Sequence, residues 1–414
     1  MSKGNKEVHS RSLGFYAWQR FKKNKLGMLG LSIICIFLFI ALFGYLIAPD
    51  GSPDANNQKL ELSIKPPGFI VNEIYIRKNE PQRYTSIFSK LLFGAESDYK
   101  EEPFNTYEFK ANDIIYEEYS GLDNAIGSKM EYNLADVIYA IDFNKPFINN
   151  VQQGYVQFYD MDSGKQLKYS TFELQREIIS NNLKRQCYYL GTDRVGRDML
   201  SRIIIGSRIS LSVGIISVIL SVFIGVFMGA ISGYYKGWID NSIMWIINVV
   251  WSIPTLLLVI AITLVLGKGF WQVFVAVGLT MWVEIARVIR GQVLSLREKE
   301  FVEAGRALGF GDLRIILRHI LPNIIGPIIV LSAANFANAI LIEAGLSFLG
   351  IGAQPPTASW GAMINAHKGY ILANSAYLAF VPGLAIMLMV LAFVLLGNGL
   401  RDAFDTRTLD EVSV

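Results

Sequence analysis

The sequence predicts an all-α polytopic membrane protein of six transmembrane helices, with a small soluble domain, α/β or mainly β, inserted between spans one and two. Uninterrupted charge-free runs occupy residues 26–49, 209–235, 241–267, 320–342, 344–366 and 369–400, with a shorter one at 269–283. A bilayer core about 30 Å thick is crossed by roughly 20 apolar helical residues, so most of these runs are long enough to span. Of the 414 residues, 52% are hydrophobic and 18% charged, with a mean hydropathy of +0.35; soluble domains carry about 25% charged residues. The charge is divided as well: residues 49–190 hold 15 Lys/Arg and 21 Asp/Glu, a net of −6, against +9 in the rest of the chain. A basic excess beside membrane spans marks cytoplasmic loops rather than a nucleic-acid partner. These patterns exclude a soluble enzyme, a disordered chain and a nucleic-acid reader.

The elements follow in order. Residues 1–25 hold Lys3, Lys6, Arg11, Arg20, Lys22, Lys23 and Lys25 against Glu7 alone, which places the N-terminus in the cytoplasm. The first span, 26–48, is too long for a signal core and lacks a small-x-small cleavage site, so it is read as retained. Residues 49–190 then lie outside. They include alternating stretches at 70–77 and 155–159, and the second leads through Asp160-Met161-Asp162-Ser163-Gly164 into 165–169 as a hairpin. Residues 191–400 form a five-helix core. Spans at 209–232, 242–266 and 270–289 lead to the most basic loop, with Arg287, Arg290, Arg297, Lys299, Arg306, Arg314 and Arg318, and a span at 323–342 leaves again. The run 344–366 carries Gly345, Gly350, Gly352 and Gly361 and the pair Pro355-Pro356, which an unbroken helix tolerates poorly. Read as a re-entrant or surface hairpin, it lets the last span, 376–400, return the 401–414 tail with Arg401 and Arg407 to the cytoplasm.

The cytoplasmic loop 290–322 is the most informative stretch. Apolar Val302, Leu308, Leu313, Ile316 and Leu317 predict two short amphipathic helices broken at 309–311. Small residues at Ala304, Gly305, Ala307 and Gly309 offer a smooth surface to a partner's groove, and Gly309 allows a turn at positive φ. Glu303 pairs either with a basic residue of that partner or with Arg306 three positions on. Ionisable groups inside spans are functional suspects. Glu284 is expected to form an ion pair with Arg287 in preference to a substrate contact; Glu343 is a candidate for the transport pathway or for the interface; Asn335 and Asn338, with Ser332 and Ala339, are expected to pack helices rather than bind cargo. Histidines and cysteines are scattered, so no metal site is expected. Gly309-Phe310-Gly311-Asp312 fits the GxGD pattern of intramembrane aspartyl proteases, but the required second aspartate at membrane depth is missing. GxxxxGK[ST] is absent, so any nucleotide site belongs to another polypeptide.

The 303–322 loop resembles the EAA coupling loop of bacterial ABC-importer permeases. Glu303, Ala304, Gly309, Leu321 and Pro322 match; Gly305 replaces the second Ala and His319 an Ile; Arg306, Ala307 and Asp312 fall within it. Gly191, Thr192, Asp193, Gly196, Arg197 and Asp198 resemble the approach to span two in the peptide-importer subfamily. Ser347, Phe348, Leu349, Gly350, Gln354, Pro355, Pro356, Trp360 and Gly361 resemble its segment before the last span. The likeness covers roughly 12–50 and 188–407. Departures are Met244-Trp245-Ile246-Ile247-Asn248, which lacks both charges of a Met-Arg-x-x-Asp pattern, Asp405-Thr406-Arg407 for Asp-Pro-Arg, and the enlarged 49–190 insert. The resemblance implies a type I ABC-importer fold and the C-type permease of a dipeptide/oligopeptide importer in the bacterial inner membrane. It further implies a homologous second permease, two ATP-binding subunits that hold ATP and Mg, and an extracytoplasmic substrate-binding protein, with no cofactor and no covalent chemistry on this chain. Nickel chelates or antimicrobial compounds are alternative cargoes, and a membrane-anchored receptor or scaffold acting through the acidic insert is the remote alternative.

Overall fold

The computed structural model describes residues 13–121, 125, 127–267 and 269–405; Lys3, Lys6 and Arg11, and Thr406 and Arg407 of the tail, lie outside these. In chain order, helices α1 (Leu13–Phe21) and α2 (Lys25–Ile47) precede β1 (Phe69–Arg77), α3 (Ile87–Phe93), β2 (Tyr99–Lys110), β3 (Asp113–Glu118) and β4 (Lys129–Asn133). Then come α4 (Leu134–Ile138), β5 (Ile148–Asn150), β6 (Tyr155–Tyr159), β7 (Gln166–Ser170), α5 (Thr171–Glu177) and β8 (Leu183–Tyr188). The remainder is helical: α6 (Met199–Tyr235), α7 (Gly237–Trp251), α8 (Thr255–Leu266), α9 (Phe270–Arg297), α10 (Glu300–Ala307), α11 (Asp312–Ile315), α12 (Ile325–Phe348), α13 (Trp360–His367) and α14 (Tyr377–Phe404). The chain divides into two compact units, one built from the residues up to Ala41, Gly206–Lys368 and the chain from Ala379, the other from Leu42–Ile205 with Gly369–Leu378.

In the helical unit, α2, α6, α9, α14 and the stretch Asp312–Phe348 are the five helices long and apolar enough to cross a membrane. The third expected span is not one continuous helix. Helices α7 and α8 meet at 92°, so a sixth crossing exists only if this bent pair counts as one. The reason is Pro254, which has no N–H to donate and whose ring crowds the preceding turn. The 344–366 run does not span: α12 continues to Phe348, an irregular stretch with a cis Pro355-Pro356 bond follows, and α13 has only eight residues. Close helix packing is set by small residues. Gly225, Gly229 and Gly233 recur every fourth residue along α6, and a Cβ there would stand 2.8 Å, 2.5 Å and 2.8 Å from the carbonyl oxygens of Trp282, Ala286 and Arg290 on α9. Backbones this close gain dispersion contacts that lipid does not supply.

The other unit holds every strand of the described residues. Five strands form an antiparallel sheet in the order β4-β3-β2-β1-β8, and three more the sheet β5-β6-β7. The hairpin expected at 160–164 forms, with Tyr159 opposite Gln166 and the Ser163 N–H donating to Asp160 at 2.9 Å. Ile74, Ile114, Leu134, Val156, Phe158, Leu174 and Ile178 make the apolar core. Beside it sits a buried polar cluster. The Lys59 ammonium donates to Glu73 and Glu101, both at 2.8 Å, and to Tyr188 at 3.2 Å, while the Tyr188 hydroxyl donates to Glu73 at 2.7 Å. Burial opposes the Lys59 charge, but the two carboxylates outweigh it and hold the ammonium above its usual range. Burial, with the Glu73 charge, pushes Tyr188 upward.

Candidate functional site

The 300–322 loop is a folded platform rather than a solvated strap. Val302 of α10 and Ile315, Ile316 and Ile320 are buried in one cluster with Ala230 and Tyr234 of α6 and Ile289 and Val293 of α9, and Gly305 of α10 is buried as well. Helix α10 ends in a Schellman turn: the Phe310 N–H donates to the Gly305 carbonyl at 3.0 Å and the Gly309 N–H to that of Arg306 at 2.9 Å. Gly309 has φ +76°, the left-handed conformation that glycine adopts without a Cβ penalty. The loop is tied down from several sides. The Tyr234 hydroxyl donates to Asp312 at 2.7 Å, Lys236 pairs with Glu298 at 2.6 Å, and Arg297 donates to the Tyr234 carbonyl. The lysine beside it holds Glu298 below the usual carboxylate range. Leu321 packs at the edge of the buried cluster, and Pro322 opens a short 3-10 turn into α12.

The outward face differs from the expected one. Of the five apolar positions, only Val302 and Ile316 point inward; Leu308, Leu313 and Leu317 are 72%, 69% and 53% exposed. Gly305 is buried, so the small outer surface is Ala304, Ala307 and Gly309 without it. Glu303 forms no ion pair with Arg306 among the described residues; the Arg306 guanidinium lies over the Tyr234 ring at 5.3 Å. The result is an exposed apolar edge on a backbone held from within, a surface of the kind that marks protein contact.

The two other motifs are structural knots. Asp193 is fully buried; it accepts from the Val195 and Arg197 N–H groups at 2.9 Å and 3.0 Å and is clamped by the Arg197 guanidinium at 2.7 Å and 2.6 Å. Thr192 receives the Lys65 N–H at 2.8 Å and donates to the Leu62 carbonyl. Asp198 caps α6, accepting from the Ser201 N–H at 2.8 Å; burial pushes its carboxyl upward. Gly196, at φ +77°, leaves no room for a side chain, since a Cβ would stand 1.7 Å from the Lys59 carbonyl oxygen; Gly191 sits in a similar turn. In the second motif, the Ser347 hydroxyl donates to Glu343 at 2.7 Å and receives the Ala353 N–H at 3.3 Å, while Ser359 caps α13. Gln354 donates to the Gly350 and Gly352 carbonyls, and Trp360 is fully buried, edge-on to Phe37 with ring centroids 5.7 Å apart. Phe348 and Leu349 stay exposed, and Gly361 lies in the α12–α13 contact.

Two membrane carboxylates have surroundings that their sequence positions did not indicate. Glu343, the pathway candidate, is 2% exposed and locked to Ser347. Glu284, the expected partner of Arg287, is exposed and lines a cleft of about 270 Å³ with Trp251, Thr255, Thr280 and Asn338. Arg287 instead donates to Asn248 at 3.1 Å and stacks on the Trp251 ring at 3.4 Å. An ion pair that the sequence did not single out joins α7 to α9: Arg290 donates twice to Asp240, at 2.6 Å and 2.7 Å, and Ser232 donates to the same carboxylate.

Comparison with known proteins meets this architecture. The family described as "Binding-protein-dependent transport system inner membrane component" matches residues 198–410, more than half of the chain. The chain belongs to that family. It is thus a multi-pass inner-membrane permease of an ABC importer. Residues 12–67 of the permease match the "N-terminal TM domain of oligopeptide transport permease C". The glutathione transport system permease protein GsiD of Escherichia coli is 44% identical over 227 residues, 55% of this permease and 75% of its own length. The GsiD protein of Pectobacterium atrosepticum is 44% identical over 221 residues, 53% and 73% of the two chains. Among solved structures, an inward-facing MetNI methionine ABC transporter shares 19% identity with a TM-score of 0.42, covering 50% of this permease and 98% of that chain.

Proposed function

We propose that this chain is the C-type permease subunit of a peptide importer. It pairs with a homologous permease to enclose the pathway, receives cargo from a binding protein outside, and is driven by two ATP-binding subunits that hold the nucleotide and Mg. Residues 49–190 face the outside, and both termini face the cytoplasm. The observation that carries this reading is the 300–322 platform. Its exposed edge, from Ala304 and Ala307 through Gly309 to Leu313, suits an ATPase groove, while its buried side is continuous with α6 and α9. Closure of the ATPase pair would push on residues 303–312, and the rigid attachment through Tyr234 and Asp312 would pass the movement into the spans. The peptide cargo is supported by the names of the oligopeptide permease segment and of the glutathione permeases.

The test uses the complete importer. Gly309→Leu, Ala304→Trp and Glu303→Lys are expected to leave the chain inserted and folded, because all three sites are exposed and a Cβ at residue 309 meets nothing within 4 Å. Each should abolish co-purification of the ATPase subunits, uptake of labelled tripeptide, or both. Wild-type uptake with Gly309→Leu and Ala304→Trp would refute the docking assignment. Reporter fusions after Lys100 and Asp160 should report an outside location, and fusions at Arg297 and Phe404 a cytoplasmic one.

A further inference from the structure

Glu284 is the fifteenth residue of the 28-residue helix α9. The helix is longer than a bilayer core is thick, and Arg287, Arg290 and Arg297 carry its end into the basic cytoplasmic side, so Glu284 lies inside the 270–289 span about one and a half turns from its inner end. A carboxylate there is expensive unless it faces water, a counter-charge or a pathway. No ion pair holds it among the described residues, and the one cation a turn away, Arg287, is engaged by Asn248 and by the Trp251 ring. Instead, Glu284 opens into the cleft whose other walls are Thr280 on the same helix, Asn338 and Leu341 of α12, and Trp251 and Thr255 on either side of the α7–α8 break. Broken backbone within a membrane persists only where protein or a water-filled cavity surrounds it. The break and the carboxylate therefore point independently to one recess, in which Met281, Val283, Leu341 and Ile342 form an apolar wall around Glu284, Thr280, Thr255 and Asn338. At about 270 Å³ the recess is smaller than the roughly 300–1,000 Å³ of pockets that enclose whole ligands, so it suits one group of a larger cargo.

We propose that this recess is a cargo subsite in the pathway, in which Glu284 receives a cationic group of the passing molecule, with Thr280 and Asn338 as neutral hydrogen-bonding neighbours. The inference rests on the peptide reading above. A peptide offers such a cation either as its terminal ammonium or as a Lys or Arg side chain. The expectation is a preference for cargo bearing that group, set by this permease rather than by the binding protein alone.

The complete importer reconstituted in proteoliposomes tests this with three tripeptides, Ala-Ala-Ala, Lys-Ala-Lys and Ala-Glu-Ala. Glu284→Gln should lower uptake about tenfold, equivalent to roughly 1.4 kcal/mol, with subunit co-purification and binding-protein-stimulated ATP hydrolysis intact. Glu284→Asp, which keeps the charge, should restore most of it. A loss shared by all three peptides assigns the terminal ammonium, and a loss confined to Lys-Ala-Lys assigns the side chain. Unchanged uptake of all three by Glu284→Gln overturns the proposal. So do equal losses in the Gln and Asp variants, or a loss traced to missing partner subunits. A wild-type importer that accepts none of the three peptides would instead overturn the peptide reading, and this inference with it.

Discussion

Replacing Lys59 with Met keeps most of the stem's volume and removes the ammonium from the centre of the β unit. Lys59 is 7% exposed, Glu73 is fully buried and Glu101 is 18% exposed, so the variant strands the Glu73 carboxylate with Tyr188 as its remaining donor. Removing one partner of a buried pair costs about 3–5 kcal/mol, because the surviving charge is neither solvated nor compensated. Glu101 can turn toward water, which favours the lower end of that range. For a unit of this size about 2–4 °C accompanies each kcal/mol, so the melting temperature should fall by roughly 6–20 °C. The assay is a thermal melt of the full chain in detergent, with hydrogen exchange resolving β1, β2 and β8. Lys59 is held above its ordinary value of 10.5, so its contribution is fully present below that pH and is lost only as pH rises through the higher folded value. The gap between wild type and variant should therefore stay constant from neutrality to about pH 9 and close in stronger alkali. A gap below about 1 kcal/mol would refute the reasoning. So would one that closes before pH 9, since either result would mean that water already reaches the cluster.

Asp240→Ala removes the bidentate partner of Arg290 and should destabilise the helical unit by about 2 kcal/mol, read as a lower melting temperature in detergent; Arg290→Ala should cost a similar amount, and the double variant less than the sum. Glu343→Gln removes a buried carboxylate with one oxygen unpartnered among the described residues, so stability should hold or rise and transport should persist; a large loss of uptake with normal folding would return Glu343 to the pathway. Gly196→Ala should lower the yield of folded chain, since its Cβ would collide with the Lys59 carbonyl; pulse proteolysis of the 42–205 region measures it, and an unchanged cleavage midpoint would argue that the loop yields.

Part of this molecule is decided locally and could be read from residue order. Charge-free runs of about 20 residues place the long helices wherever the chain lies, because a helix meets its own backbone hydrogen bonds. Gly309 announces the turn it makes, since a left-handed residue after a helix is a local demand. The 160–164 hairpin is legible for the same reason. Other features depend on what a side chain meets after folding. Leu308, Leu313 and Leu317 fit an inward face on the helical wheel, but a short helix followed by a π turn at 316–320 rotates the buried side to Gly305, Ile315 and Ile320. The sequence predicts the third span as one helix over 242–266; the break at Pro254 and its 92° angle come only with the structure, in which α8 packs on α9. Glu284 and Glu343 look alike in sequence, each a lone carboxylate at the edge of an apolar run. Only the tertiary structure separates them, because Ser347 and the α12–α13 hairpin enclose one while the broken third span leaves the other facing an open recess; a charge's role at membrane depth is fixed by its surroundings, and those come from distant parts of the chain.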